Sequence, residues 1–258
     1  MPEGYVTGRS LLSYFFTLPA EFTRTLAGLG PKDRWLDVGA GEGRAILDYG
    51  TSKYEAMYLR GLERTGSKAQ AVAISIEDRR TPRWHETAAS LGANQIQYFF
   101  GRRLREYSLE ELGRFQVITD VLGAFSYTRF VSVFMEKALG FLELNGSLYT
   151  VLQDVRSENG TNIPYYPNAP FLTEIVNAEG SEVKICSWLK RITCVEVTCE
   201  LKADRVPPIE VYRIHKVCNN VTVPALTLIH FTAGTPPERR FQVGNPSPAS
   251  LGRTGVTP

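Results

Sequence analysis

Between Arg34 and Gly50 the chain reads RWLDVGAGEGRAILDYG: a short apolar run, glycines at every second position (Gly39, Gly41, Gly43), then a helix-like stretch. A strand that enters a helix through glycines is a βα unit, since glycine tolerates positive φ and lets the backbone approach a ligand closely. The unit recurs along the chain. AQAVAISIE (Ala69–Glu77), IQYFFG, FQVITDVLGAF and GSLYTVLQDV read as further strands, and TPRWHETAASLG, SLEELG and FVSVFMEKALGFL as the helices between them. Thr81 is placed to cap the first of these helices, with Pro82 at N1 and Gly92 at its end; Ser108 and Glu111 have the spacing of a capping box. Alternating strands and helices with short connections predict a Rossmann-like, doubly wound α/β sheet, mostly parallel and with helices on both faces. Such sheets bind ligands outside the carboxyl ends of their strands, where strand order reverses.

The ends of the chain read differently. Residues 1–30 predict two short helices, broken at Pro19, that would cover the site. After about residue 155, SENGTNIPYYPNAP reads as a loop and FLTEIVNAEGSEVKICSWLKRI as mostly helical. CVEVTCELKA and IEVYRIHKV, separated by DRVPP, predict an antiparallel pair ending the sheet, and ALTLIHFTA one more strand. The expected organisation is therefore a helical segment (1–30), one ligand-binding domain (31–235) and a flexible tail (236–258) rich in Pro, Gly and Ser.

Composition narrows the function classes. A hydrophobic fraction of 43% and a charged fraction of 22% are ordinary for a soluble domain, and a net charge of +2 gives little reason to expect a polyanionic partner. Two basic runs (Arg79, Arg80, Arg83; Arg102, Arg103, Arg105) are diluted by Glu77, Asp78, Glu86 and Glu106, so they read as solvated faces rather than an RNA site. No apolar run approaches the roughly 20 residues of a membrane span. The opening MPEGYVTGRS lacks the basic start and apolar run of a secretory signal. Cys186, Cys194, Cys199 and Cys218 show no C-x-x-C spacing and only three histidines accompany them, so no metal site is expected; buried, reduced thiols in a cytoplasmic protein are. Oligomeric state is not legible.

The glycine turn excludes two phosphate-binding patterns. It has no Lys-Ser or Lys-Thr after its last glycine, as a P-loop requires. Against the dinucleotide fingerprint G-x-G-x-x-G, Gly43 comes one residue early, which also disfavours a nicotinamide-dependent oxidoreductase. The pattern that remains is Asp37-x-Gly39-x-Gly41-x-Gly43. It resembles motif I of the class I S-adenosylmethionine (SAM)-dependent methyltransferases. A carboxylate at the strand end complements a sulfonium cation and would repel a pyrophosphate.

The resemblance covers roughly residues 30–155 and implies SAM as cofactor, held by Asp37, Gly39, Ala40, Gly41 and Gly43. It implies an acid for the ribose at the end of the second strand: Ser75 is nearest, Glu77 and Asp78 follow, and Glu77 is favoured. Arg102 stands beside the adenine where Asp is common in the family, and Asp120 ends the fourth strand facing donor and acceptor. A seven-stranded sheet is also implied.

Methyl transfer needs mainly alignment, and a base only where the acceptor must lose a proton. The segments expected to build the acceptor pocket are aromatic: Tyr14, Phe15 and Phe16; Phe125 and Tyr127; Tyr165 and Tyr166. Tyr14, Phe15 and Tyr127 are the candidate substrate contacts. Asp120, Tyr127 and His215 are the candidate catalytic groups, His215 because Arg213 and Lys216 flank it; His85 and His230 read as structural. The sequence thus points to methylation of a small molecule at O, N or C, for which specialised metabolism is one setting. Alternatives are a protein, peptide or RNA acceptor, or a non-catalytic module of the same fold. DVLGAF replaces the Asn/Asp-Pro-Pro-Tyr/Phe motif of many amino-methylating enzymes of nucleic acids and proteins.

Overall fold

The computed structural model describes residues 8–55, 68–92, 95–153, 170–205, 208–234 and 237–244. Its strands are β1 (Arg34–Val38), β2 (Gln70–Ser75), β3 (Ile96–Phe100), β4 (Phe115–Asp120), β5 (Leu142–Leu152), β6 (Leu172–Val176), β7 (Val195–Lys202), β8 (Ile209–Lys216), β9 (Leu226–Thr232) and β10 (Glu238–Val243). Seven form one sheet in the order β3-β2-β1-β4-β5-β8-β7. Strands β1 to β5 run parallel, β8 runs antiparallel to β5, and β7 antiparallel to β8. Strand order reverses between β1 and β4, which creates the crevice in which such sheets bind ligands.

The helices are α1 (Leu11–Thr17), α2 (Ala20–Gly28), α3 (Arg44–Gly50), α4 (Pro82–Leu91), α5 (Leu109–Leu112), α6 (Ala124–Tyr127), α7 (Val131–Phe141) and α8 (Ile185–Leu189). Local chemistry sets several of their starts. Thr81 accepts from the Trp84 amide ahead of Pro82, and Ser108 and Glu111 close a reciprocal capping box. Ser10 caps α1 by accepting from the Ser13 amide.

Period-two alternation divides the strand residues between two cores. Leu36 and Val38 of β1 join Ile118 of β4, Leu148 of β5 and the apolar faces of α6, α7 and α8. Trp35 joins Val117, Tyr149 and Val151 beneath α1, α2, α3 and α4. By the same parity Asp37 and Thr119 face the α1 side, whereas Asp120 and Thr150 face the α6 side. The α1-side core is aromatic: Phe22 lies edge-on to Trp35 and Tyr149, and Trp35 edge-on to Tyr49. Each such ring, fully buried, contributes on the order of 1.5–3 kcal/mol.

Three expectations are corrected. Leu172–Val176 is a strand, not helix, and Glu238–Val243 is a strand inside the segment expected to be a tail. The two pair in parallel, with β9 antiparallel beyond, as a separate three-stranded sheet β6-β10-β9. The four cysteines are not reduced thiols: Cys186 pairs with Cys199 and Cys194 with Cys218. The β7–β8 hairpin brings the second pair together, since Cys194 precedes β7 and Cys218 follows β8. No helix among the described residues is long and apolar enough to cross a membrane.

Candidate functional site

The turn from β1 to α3 is left-handed at all three glycines, with φ of +69° at Gly39, +56° at Gly41 and +66° at Gly43. Side chains rarely adopt such φ values, and two of the positions also lack space. A Cβ on Gly39 would lie 2.7 Å from the Gly123 Cα, and one on Gly43 about 3.0–3.1 Å from the rings of Tyr98 and Trp84. The turn is pinned from below: the Ala40 amide donates to the Ile74 carbonyl at 3.1 Å, the Gly43 amide to the Ala40 carbonyl at 2.9 Å, and the Tyr98 hydroxyl to the Gly41 carbonyl. Gly43 is the N-cap of α3 and offers no side-chain cap to that helix end.

A cavity of about 360 Å³ opens over this turn, at the carboxyl ends of the parallel strands. Gly39 and Gly41 form its floor with Val38 and Ile74. Ser75, Ile76 and Glu77 supply one wall and Arg102 to Arg105 another. Leu122, Gly123, Ala124 and Tyr127 supply a third, and Phe130, Val133 and Phe134 continue it. Arg9 reaches the cavity from the start of α1. Leu122 holds φ +49°, a strained value for a leucine, where the chain leaves β4 for α6.

The sequence-derived residues divide into those that meet this cavity and those beneath it. Gly39, Gly41, Glu77, Arg102 and Tyr127 line it. Glu77 is held by Arg79 at 2.8 Å. The neighbouring Asp78 is bidentate with Arg80, whose guanidinium holds it down at about 2. Arg102 pairs with Glu111 at 2.8 Å and lies 4.0 Å over the Tyr107 ring. Ala40 is buried in the α1-side core, and Gly43 packs against Tyr98 and Trp84, so both shape the turn from beneath.

Asp37 and Asp120 are wholly buried, one on each face of the sheet. Asp37 Oδ1 and Oδ2 accept from the Tyr14 hydroxyl at 3.0 and 2.9 Å, and Oδ1 also from Thr119 Oγ1 at 2.7 Å. Burial pushes its carboxyl up to about 7, against the pull of the Thr119 and Tyr14 hydrogen bonds. Asp120 Oδ2 accepts from Thr150 Oγ1 at 2.9 Å and from the Phe125 amide at 3.1 Å, while Oδ1 has no hydrogen-bond partner among the described residues. Burial pushes it, too, up to about 7. Burial also raises the Tyr14 phenol well above its ordinary value, with the Asp37 charge next in importance, so it remains a donor at neutral pH.

Several candidates are relocated. Tyr14 is only 2% exposed and packs on Phe22 and Trp35, so its hydroxyl serves Asp37 rather than an acceptor. Phe15 packs against Phe22, Phe125 is core, and Phe16 is exposed on the outside of α1, where its carbonyl accepts from Arg205 at 2.9 Å. His215 lies below the cavity end of the sheet. It pairs with Ser147 in the middle of β5, whereas the carboxyl end of β5 pairs Leu152 with Glu210. Its Nδ1 is 3.1 Å from the Ser147 hydroxyl, and β8 runs down the sheet away from the cavity. Tyr165 and Tyr166 lie outside the described residues. Among the site residues that the sequence left unmarked are Arg9, Thr119, Leu122 and Gly123. A glycine three residues after a strand-ending Asp was the available signal for the last.

No protein-family model matches the sequence, and no curated protein matches it. Among solved structures, the chain is similar to an rRNA methylase from Streptococcus thermophilus at 13% identity and a TM-score of 0.41, over 77% of this chain and 95% of that one. It is similar to PKMT2 from Rickettsia typhi in complex with AdoHcy at 17% identity and a TM-score of 0.39, over 57% of this chain and 27% of that one. It is similar to an O-methyltransferase family protein from Burkholderia thailandensis at 12% identity and a TM-score of 0.47, over 81% and 58%. Such distant likenesses concern fold alone. The strand order itself, parallel β1 to β5 followed by an antiparallel pair, is that of a seven-stranded, mostly parallel Rossmann-like sheet.

Proposed function

We propose that this chain is a SAM-dependent methyltransferase acting on a small molecule. The observation that carries the reading is the triple left-handed glycine turn, which exposes backbone to a cavity at the switch point of the sheet. When bound, SAM supplies a methyl group already activated by its sulfonium. The chain's residues fit such a ligand. Gly39 and Gly41 would admit it against the backbone, and Glu77, which lines the cavity, would accept from a ribose. Ile76, 61% exposed, and Val133, 43% exposed, offer apolar surface that a flat base would cover. The described lining residues include no lysine of the kind that marks a triphosphate site.

Asp37 and Asp120 act from beneath the ligand. Neither opens to the cavity, yet in a poorly solvated interior each adds attraction for a cation above it when ionised. Tyr127, on the wall after β4, is the side chain favoured to orient the acceptor. A small acceptor is supported by the pairing of four of the six arginines of the basic runs with acids: Arg79 with Glu77, Arg80 with Asp78, Arg102 with Glu111 and Arg103 with Glu106. A local field so neutralised offers little to a polyanion.

The test is calorimetry with SAM, S-adenosylhomocysteine and NAD. Binding of both sulfur compounds and not NAD is expected. Failure of both would sink the reading, and binding with no turnover over a broad acceptor panel would favour a non-catalytic module.

A further inference from the structure

The three-stranded sheet lies outside the seven-stranded one, and its middle strand carries a buried arginine. Arg239 of β10 is 1% exposed. Alternation along β10 turns Arg239 and Phe241 inward and leaves Glu238 and Arg240 half-buried on the opposite face, where Arg240 pairs with Glu174 at 3.1 Å. A buried guanidinium is costly unless its donors are met. Here Nε donates to Thr173 Oγ1 at 2.8 Å on the adjacent strand β6, Nη2 to the Phe125 carbonyl at 2.8 Å, and Nη1 to the Thr128 carbonyl. Two of the three acceptors are backbone oxygens at the end of α6.

That short helix is the cavity wall. Gly123, Ala124, Tyr127 and Thr128 line the cavity, and four residues of helix cannot hold their shape alone. Asp120 secures its start by accepting from the Phe125 amide, and Arg239 secures its end. Acid at the amino end and cation at the carboxyl end both match the helix dipole. Further ties follow the same route: the Phe171 amide donates to the Ser126 carbonyl at 3.2 Å, and the Phe171 ring lies 6.4 Å from that of Tyr127.

We propose that Arg239 is a positioning residue for the site, fixing segment 123–128, and with it Tyr127, from the small sheet. The small sheet is thereby part of the site's construction. That role in catalysis rests on the methyltransferase reading, but the clamp itself can be measured without it.

The experiment compares full-length wild type with Arg239→Met, Arg239→Lys and, as a control on the opposite face of the same strand, Arg240→Met. Hydrogen exchange is followed by segment, and S-adenosylhomocysteine affinity by calorimetry. For Arg239→Met, exchange at 123–130 should accelerate tenfold or more with β1, β4 and β5 unchanged, and affinity should fall roughly tenfold. Arg239→Lys keeps the charge but loses the fork, so it should recover only part of either effect, and it carries the test if the methionine variant does not fold. Arg240→Met should match wild type at 123–130. Wild-type exchange at 123–130 in both Arg239 variants, or uniform acceleration across the sheet, would overturn the proposal. If wild type itself binds no S-adenosylhomocysteine, the methyltransferase reading falls, while the exchange pattern still decides the clamp.

Discussion

Tyr14→Phe removes one oxygen from the interior and leaves the ring in place beside Phe22 and Trp35. The lost hydroxyl donates to both oxygens of Asp37; without it Oδ2 loses that donor while Oδ1 keeps Thr119. The cost depends on the charge of Asp37. A hydrogen bond to an ionised group contributes about 1.5–3 kcal/mol, and a neutral one about 0.5–1.5 kcal/mol. Asp37 has a folded pKa of about 7 against an ordinary 3.8. The stability credited to that raised pKa is therefore full below about 3.8 and gone once pH has risen through about 7. The tyrosine bond opposes the shift because it favours the charged form, so removing it raises the folded pKa further. The destabilisation should accordingly be small at pH 5.5 and approach 1.5–3 kcal/mol at pH 8.5. Urea denaturation of both proteins at the two pH values measures it. An equal loss at both pH values, or a larger one at pH 5.5, would show that the bond does not act on an ionising Asp37.

Gly39→Ala places a methyl 2.7 Å from the Gly123 backbone at a φ of +69°; S-adenosylhomocysteine affinity should fall more than about tenfold, read by calorimetry. Between pH 6 and 8 the affinity for SAM should rise relative to that for its uncharged-sulfur product by roughly threefold to tenfold, because Asp37 and Asp120 both ionise near 7 and attract the sulfonium; a flat ratio would refute their role. Reducing the two disulfides, which close separations of 13 and 24 residues, should cost about 2–4 kcal/mol each by thermal melting, with ligand affinity kept in the protein that remains folded. His215→Ala should leave turnover within about twofold of wild type, since its ring bonds Ser147 in the middle of β5 and does not line the cavity.

What the sequence disclosed follows from how locally each feature is encoded. Strands β1 to β5 carry their own apolar runs, and the starts of α4 and α5 are written in Thr81-Pro82 and in Ser108 with Glu111. The glycine turn is equally local, because the need for positive φ belongs to the residue itself. Strand β6 was obscured because five residues of LTEIV fit helix or strand, and its partner β10 lies more than sixty residues on. β10 was obscured by Arg239, an inward-facing charge where an apolar residue would have shown the alternation. The cysteine pairs depend on the β7–β8 hairpin, and connectivity cannot be deduced from spacing. Tyr14 was expected to contact the substrate; whether its hydroxyl turned to ligand or to Asp37 depends on which face of β1 Asp37 takes.

That parity organises the site as a whole. Asp37 and Asp120 end adjacent strands, yet alternation sends one toward α1 and the other toward α6, each with its own threonine and its own anchor. The loops above them meet at one point. A Cβ on Gly39 would strike the Gly123 Cα, and a Cβ on Gly123 would lie 2.6 Å from both Asp120 Oδ1 and the Val38 carbonyl. Gly123 has no positive φ, so its requirement is space alone, whereas Gly39 needs both space and conformation. The Gly39–Gly43 turn is thus half of a two-loop structure whose other half is the LGA after β4. A chain could keep every glycine of the first loop and still lose the cavity floor through one methyl group on the second.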